Sequence, residues 1–163
     1  ATIFDTWIDG VTNHTGSLVG YVQAPFAEQT IVHGGTQSLP LDYNNASTPY
    51  YSEAEREFAP AADWTVHGAT TLVLYVRGQA GNTPVPLYVA VEDASRQSSV
   101  VIHPDPAVTG ATRWTYWDIP LSRFAGVNLA QIKKLYLGAG DRRSPVAGGT
   151  GRLFIDDIQL TKP

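Results

Sequence analysis

The stretch Leu135–Leu160, LYLGAGDRRSPVAGGTGRLFIDDIQL, decides how this chain is read. It holds two apolar runs, Leu135–Gly138 and Arg152–Leu160, on either side of a glycine-rich segment full of turn formers, and so predicts two β-strands joined by a long loop. Successive side chains in a strand point to opposite faces, so Leu153 and Ile155 share one face while Ile158 and Leu160 fall out of step with them. The parity changes at Asp156-Asp157, which predicts a bulge or a switch of face there. Two adjacent carboxylates in an apolar strand require hydrogen-bond donors, water or a cation. The residues alone leave two readings open: surface acids at a bulge, or a structural Ca²⁺ site that ties the last strand to the body of the domain.

The same pattern recurs along the chain. Thr70–Arg77 (TTLVLYVR) is nearly continuous in apolar residues and predicts a central strand covered on both faces. Leu87–Asp93 alternates Leu87, Val89 and Val91 against Tyr88, Ala90 and Glu92, and Ser99–His103 is a short strand closed by Pro104 and Pro106. Arg113–Leu121 alternates Trp114 and Tyr116 with Thr115, Trp117 and Ile119. Ser38–Tyr43 puts Leu39, Leu41 and Tyr43 on one face, and Pro40 within it predicts an edge or a bulge. Near the N-terminus the alternating IFDTWIDG leads through a turn-rich TNHTGS to LVGYV, and Ala24–Val32 reads as loop entering a short strand. Tyr50–Phe58 (YYSEAEREF) is ambiguous. Ser52 and Glu55 have capping-box spacing and the composition favours helix, yet Phe58-Ala59-Pro60 stops it within about two turns. The strand reading is preferred; it puts Ala54, Arg56 and Phe58 on one face and Glu53, Glu55 and Glu57 on the other. Asn128–Lys134 reads as a single helical turn, because Leu129, Ile132 and Leu135 fall three apart. About nine short strands with hardly any helix and no internal repeat predict an all-β fold, a β-sandwich of jelly-roll type, formed by residues 1–163 as one module.

Composition narrows the function. Apolar residues make up 43% and charged residues 16% of 163 residues, which is globular rather than disordered. A net charge of −4, with no basic cluster beyond Lys133-Lys134 and Arg142-Arg143, argues against nucleic acid as partner. No apolar run approaches the roughly 18 residues of a membrane span. The chain has no cysteine, so disulfides and cysteine zinc sites are excluded, and the histidines have no metal-binding spacing. With neither methionine nor a signal peptide, the sequence reads as a segment excised from a longer, processed chain.

Several segments carry a resemblance when taken in order: HGGTQSLPLDYNN, YYSEAEREF, DWTVHGATTLVLYVRG, LYVAVED, WTYWDIPLSRF, VNLAQIKKLYLGAGDR and GRLFIDDIQL. From Ile3 to Leu160 the chain resembles the galactose-binding-like jelly rolls used as carbohydrate-binding modules in bacterial extracellular enzymes and surface proteins. The resemblance implies a secreted module, a monomer when isolated, that binds polysaccharide or oligosaccharide beside other domains of its parent protein. It also implies a structural Ca²⁺ held by an acid of the last strand, Asp156, by turn carbonyls around Gly35 to Ser38, and by an acid of the first strand. Here only Asp5 or Asp9 is available for that last role, in a chain that departs from the family's first-strand motif.

Sugar recognition needs flat aromatic faces together with amides, carboxylates or arginines for hydroxyl pairs. Asp42, Tyr43, Asn44 and Asn45, then Tyr50 and Tyr51, then Glu53 and Arg56, supply both kinds within a short span. Trp117 is a further candidate, with Trp64, Trp114, Tyr116, Tyr75 and Tyr88, although aromatics of a sandwich also build its core. Asp141, Arg142 and Arg143 are expected to face solvent. Glu53, Glu55, Glu92 and Asp93 could provide the two carboxylates of a glycosidase, but nothing in the sequence pairs them at the separation of about 5 Å, or roughly 6.5–9.5 Å, which that chemistry needs. No serine sits in a hydrolase elbow. The expected function is therefore carbohydrate binding without catalysis; the alternative is a structural or adhesive module mediating protein contacts.

Overall fold

In the computed structural model, which describes residues 2–163, the strands form two antiparallel sheets laid face to face. In chain order they are β1 (Leu18–Val19), β2 (Leu39–Asn44), β3 (Ser52–Ala62), β4 (Thr71–Arg77), β5 (Leu87–Asp93), β6 (Ser98–Ile102), β7 (Thr115–Pro120), β8 (Ile132–Ala139) and β9 (Thr150–Thr161). One sheet runs β1-β2-β9-β4-β7 and the other β3-β8-β5-β6. This is the predicted β-sandwich.

The core is what the alternation dictates. Leu39, Leu41 and Tyr43 of β2, Leu72, Leu74 and Val76 of β4, Trp117 and Ile119 of β7, and Leu153 and Ile155 of β9 face Ala54, Leu87, Val89, Val91, Leu135 and Leu137 of the other sheet. Burying each of the larger side chains contributes about 1.5–3 kcal/mol before entropy is counted. Trp64 joins this core through edge-to-face contact with Phe124.

The bulge falls where the parity placed it. Gln159 pairs with Val73 and Asp156 with Tyr75, so Asp157 and Ile158 together oppose Leu74. Asp157 takes a φ of 50°, and after this step Ile158 and Leu160 turn back to the core. Pro40 is tolerated because β1 pairs only with Leu41 and Asp42, and beyond it Gly20 uses just the Pro40 carbonyl, donating its N–H to it at 2.9 Å.

Three segments differ from expectation. The predicted helical turn at Asn128–Lys134 shrinks to a 3-10 turn at Leu129–Gln131, and Ile132 already begins β8. IFDTWIDG is not a strand: Ile3–Asp5 is a 3-10 turn, and Ile8 alone makes a bridge, to Glu55. The helical turn Gly10–Asn13 follows because Asp9 accepts the Val11 N–H, while its other oxygen takes the Val19 N–H. In Ala24–Val32 the Glu28 carboxylate accepts the N–H groups of Thr30 and Ile31, which curls the backbone away from a ladder and leaves one bridge to Ser38.

Candidate functional site

The inward positions of the four-stranded sheet are filled by the core, so its outward positions are available for function. The register sets them in three rows: Glu53, Gly138, Tyr88 and Ile102; Glu55, Tyr136, Ala90 and Val100; Glu57, Lys134, Glu92 and Ser98. Acids from β3 therefore stand beside tyrosines and a lysine from β5 and β8. Gly138 makes the first row possible. A Cβ there would lie 2.7 Å from Tyr88 Cε2 and closer still to Cζ and the hydroxyl, so only glycine lets the Tyr88 ring lie flat across β8. The ring then reaches Glu53, and its hydroxyl donates to Oε2 at 2.7 Å.

The long loop after β8 closes over this face. Arg142 places its guanidinium carbon 4.3 Å from the Tyr136 ring centroid, and its Nε lies 3.5 Å from Glu53 Oε2. Arg143 donates from Nη2 to the Val100 carbonyl at 2.8 Å. In the rows below, Lys134 Nζ sits 2.8 Å from Glu55 Oε1 and 3.6 Å from Glu57 Oε1. Tyr88 and Tyr136 end up buried although they point away from the core. Burial pushes the Glu53 carboxyl above the usual range, against the pull of Arg142 and of the Tyr88 hydrogen bond. Burial also raises the Tyr136 phenol to about 12 and the Tyr88 phenol well above its ordinary value. The hydrogen bond that Lys134 donates to Glu55 raises the lysine above its ordinary range.

The residues singled out in the sequence scatter. Tyr51 and Glu53 belong to this face; Tyr51 immediately precedes β3 and lies against Gly140 at the start of the long loop, where a Cβ added to the glycine would come within 3.1 Å of the Tyr51 Cβ. Asp42 lies on the outer side of the other sheet and grips Arg152 through two bonds of 2.5 and 3.0 Å, with the guanidinium 5.1 Å from the Tyr21 ring. Together with Asn44, Gln79 and Leu18 this pair lines a shallow groove of about 440 Å³. Arg56 lies 4.9 Å over the Phe58 ring and borders a separate 360 Å³ cavity with Gln37, Asp156 and Asp157. Tyr50 is half-buried in a turn with φ 68°.

Three candidates, Tyr43, Asn45 and Trp117, are interior instead. Tyr43 is 2% exposed on the inward side of β2, its hydroxyl bonded to the Thr83 carbonyl at 2.7 Å. Asn45, 1% exposed, donates to the Ala139 carbonyl and accepts from Ser52, while its backbone pairs with Gly148 and Gly149. A turn residue here is a clamp for the long loop. Trp117 packs in the core, edge-on to His103. Arg142, expected in solvent, is instead the lid of the face described above. Tyr136, Lys134 and Arg142 were missed as site residues; only the outward parity of Tyr136 with Glu53 could have signalled one of them.

The expected calcium donors are engaged by hydrogen bonds within the protein. Asp156 Oδ2 accepts the N–H groups of His33 and Gly34 at 2.9 and 3.1 Å, and Oδ1 accepts that of Asp157 at 2.8 Å. Asp5 turns back to the Thr2 N–H. Ser38 pairs both backbone groups with Glu28 and donates its hydroxyl to the Ile31 carbonyl, and Gly35 lies on the same loop. Among the described residues no three histidine or acidic side chains gather into a metal cluster. The hydrogen bonds thus do at Asp156 what a cation would have done, and melting temperatures in excess calcium and in EDTA are expected to coincide. Asp156→Ala should lower stability by about 2 kcal/mol in either condition, by orphaning the 33–34 turn. A calcium-dependent rise in melting temperature that Asp156→Ala abolishes would sink this reading.

No protein-family model matches the chain, and a search of curated proteins finds no match. The fold, however, is shared with solved carbohydrate-binding modules. The chain is similar to the family 11 module of the cellulosomal cellulase Lic26A-Cel5E of Clostridium thermocellum, with TM-score 0.55 and 16% identity over 97% of this chain and 88% of that one. A family 11 module from the same organism, solved in complex with a β-1,3-1,4-mixed-linked tetrasaccharide, matches with TM-score 0.55 and 15% identity over 96% and 95%. A family 30 module matches with TM-score 0.63 and 15% identity over 90% and 91%.

Proposed function

We propose that the chain is a non-catalytic carbohydrate-binding module of an extracellular protein, and that polysaccharide binds across the outer face of the four-stranded sheet. One observation carries the reading. A sandwich needs nothing on that face, yet two ladder rows each place a tyrosine there with a glutamate, a third adds Lys134 between Glu57 and Glu92, and an arginine lies on one of the tyrosine rings. Rings with hydroxyl-binding groups beside them are the chemistry of sugar recognition. Tyr51, Glu92, Lys134 and Arg142 are the half-buried groups at the surface of this array and are assigned to contact the sugar. The shared fold supports the assignment, since one of the modules described above holds a tetrasaccharide. Binding is favoured over hydrolysis because three of the four candidate acids are already engaged, Glu53 by Tyr88 and Arg142, Glu55 by Lys134, and Asp93 by the N–H groups of Ser95, Gln97 and Asn128, which leaves Glu92 alone where two carboxylates are needed. An extracellular setting is supported by the cellulosomal origin of one such module, and no helix among the described residues is long and apolar enough to cross a membrane.

The test is native affinity electrophoresis through gels containing soluble plant and algal polysaccharides. Retardation in at least one gel, weakened roughly tenfold in Tyr51→Ala, is the expected result. The near-complete burial of Tyr88 and Tyr136 favours a second reading, a structural or adhesive module, because covered rings offer a sugar no face. A folded protein that migrates freely in every gel would overturn polysaccharide binding and favour that alternative.

A further inference from the structure

The bulge in β9 has a second effect, on the outer side of the five-stranded sheet. There Tyr75 of β4 stands in register with Tyr116 of β7 on one side and Asp156 of β9 on the other. The two tyrosine rings lie 5.4 Å apart at 59°. His33, from the loop before β2, stacks on Tyr75 with centroids 3.5 Å apart and planes within 17°, and meets Trp114 edge-on at 5.8 Å. Four rings are thus contiguous on a face that contributes nothing to the inter-sheet core.

The cluster is held in place from β9. His33 Nδ1 lies 2.6 Å from Asp157 Oδ2, and the His33 N–H donates to Asp156. Asp157 reaches the histidine from φ 50°, a conformation that costs a non-glycine residue on the order of 1 kcal/mol. That cost yields no added core contact at Asp157, which is exposed; what it yields is a fixed His33 ring over Tyr75. Tyr116 meanwhile leaves 53% of its surface in solvent, beside the exposed Asp118. Contiguous apolar patches at a surface are where proteins make contacts, and this cluster leaves Tyr116 and His33 exposed with Tyr75 and Trp114 half-buried beside them.

We propose that this face is a second polysaccharide-binding surface, on the opposite side of the sandwich from Tyr136 and Arg142, and that it takes an uncharged sugar chain. A pyranose ring would lay its C–H face on Tyr116, and the carboxylates of Asp118 and Asp157 would accept its hydroxyls. Three acids, Asp118, Asp156 and Asp157, border the rings, against Arg77 on β4 and Arg56 across the cavity beside Asp156 and Asp157, so the balance of charge disfavours an acidic glycan. The proposal rests on the reading that the module binds polysaccharide. It adds that one module engages two chains, or two stretches of one chain, and so gains avidity and cross-links long polymers.

The experiment takes an uncharged polysaccharide that retards the parent protein and measures two things for the parent, Tyr116→Ala and Asp118→Asn. Calorimetry with an oligosaccharide cut from that polymer gives the stoichiometry, and light scattering with the intact polymer gives cross-linking. Tyr116 is exposed, so folding should survive, and Asp118→Asn keeps the shape of the surface if it does not. The parent should bind two oligosaccharides and scatter strongly. Tyr116→Ala should bind one, lose the scattering, and hold the long polymer roughly tenfold or more weakly. A parent that binds one oligosaccharide, with both variants indistinguishable from it, overturns the second surface and leaves the proposed function standing. A parent that binds no polysaccharide overturns both.

Discussion

Gly138→Ala is expected to lower the melting temperature by roughly 6–12 °C, corresponding to about 3 kcal/mol in a domain of this size. The added methyl group has nowhere to go, because the Tyr88 ring lies across Gly138. Tyr88 is fully buried, so the ring must be pushed from its rotamer, an overpacking cost of about 1–3 kcal/mol. The displaced hydroxyl also abandons Glu53, and a hydrogen bond to a charged group is worth about 1.5–3 kcal/mol. The site should suffer with the fold, since Arg142 and Tyr136 are positioned by the same rows, and retardation in polysaccharide gels should fall as well. Gly110→Ala is the control: nothing lies within 4 Å of a Cβ built there, and its melting temperature should stay within about 2 °C of the parent. In a Tyr88→Ala background, Gly138→Ala should cost little, so a double-mutant cycle isolates the ring. A drop under about 2 °C in the parent background would mean that Tyr88 slides aside freely and that glycine is not required by this contact.

How much of this face could be read beforehand depended on periodicity. The alternation of Leu87–Asp93 divided Leu87, Val89 and Val91 from Tyr88, Ala90 and Glu92, and the structure sends the first set to the core and the second to the outer face. The parity of Glu53, Glu55 and Glu57 was equally readable once YYSEAEREF was taken as a strand, and the parity break at Asp156-Asp157 located the bulge. Lys134 was lost because Leu129, Ile132 and Leu135 also fit a helical spacing, and in so short a window the pairing of β8 with β3 and β5 decides between periods. Trp117 shows a different failure. Parity puts it on one face with Ile119, but does not say which face of β7 is inward, and an aromatic ring suits a core as well as a sugar.

Arg142 was out of reach for a physical reason. It lies in a loop with no period, and its place depends on contacts far away in sequence: Asn45 clamping Gly148 and Gly149, Asp141 receiving the N–H groups of Arg143 and Ser144, and Arg143 reaching Val100. Loop charges default to solvent when only composition is known. The pairing of His33 with Asp157 across the bulge is of the same kind, a contact between residues 124 positions apart. Both candidate surfaces therefore combine a strand-borne half that alternation reveals with a loop-borne half that only the folded chain supplies.

That division gives Arg142→Ala a pH signature. The groups facing Glu53 are Arg142 from the loop, Tyr88 from β5, Lys134 from β8, its neighbour Glu55 on β3, and the covered phenols around Arg142. Burial raises the Glu53 pKa in the folded state above its unfolded value, so in the window just above the ordinary glutamate range the folded chain keeps a proton that the unfolded chain has released. Stability contributed by this proton is present at low pH and is lost as pH rises through the folded pKa. Arg142 opposes the shift, and removing it should raise the Glu53 pKa further and widen the window upward. Arg142→Ala is thus expected to cost about 1–3 kcal/mol at neutral pH, where a buried carboxylate is left with only Tyr88 and the more distant Lys134, and clearly less at mildly acid pH, where Glu53 is protonated and needs no cation. Glu53→Gln should behave in the opposite way: it keeps an acceptor for Tyr88, carries no charge, and flattens the stability profile across the same window. Combining the two substitutions should erase the pH dependence of the Arg142→Ala cost. Urea denaturation across the acid-to-neutral range reads all three variants. A cost of Arg142→Ala that is the same at every pH would mean that the arginine acts by covering the Tyr136 ring rather than by holding the charge of Glu53, and would move its role in the site from electrostatics to shape.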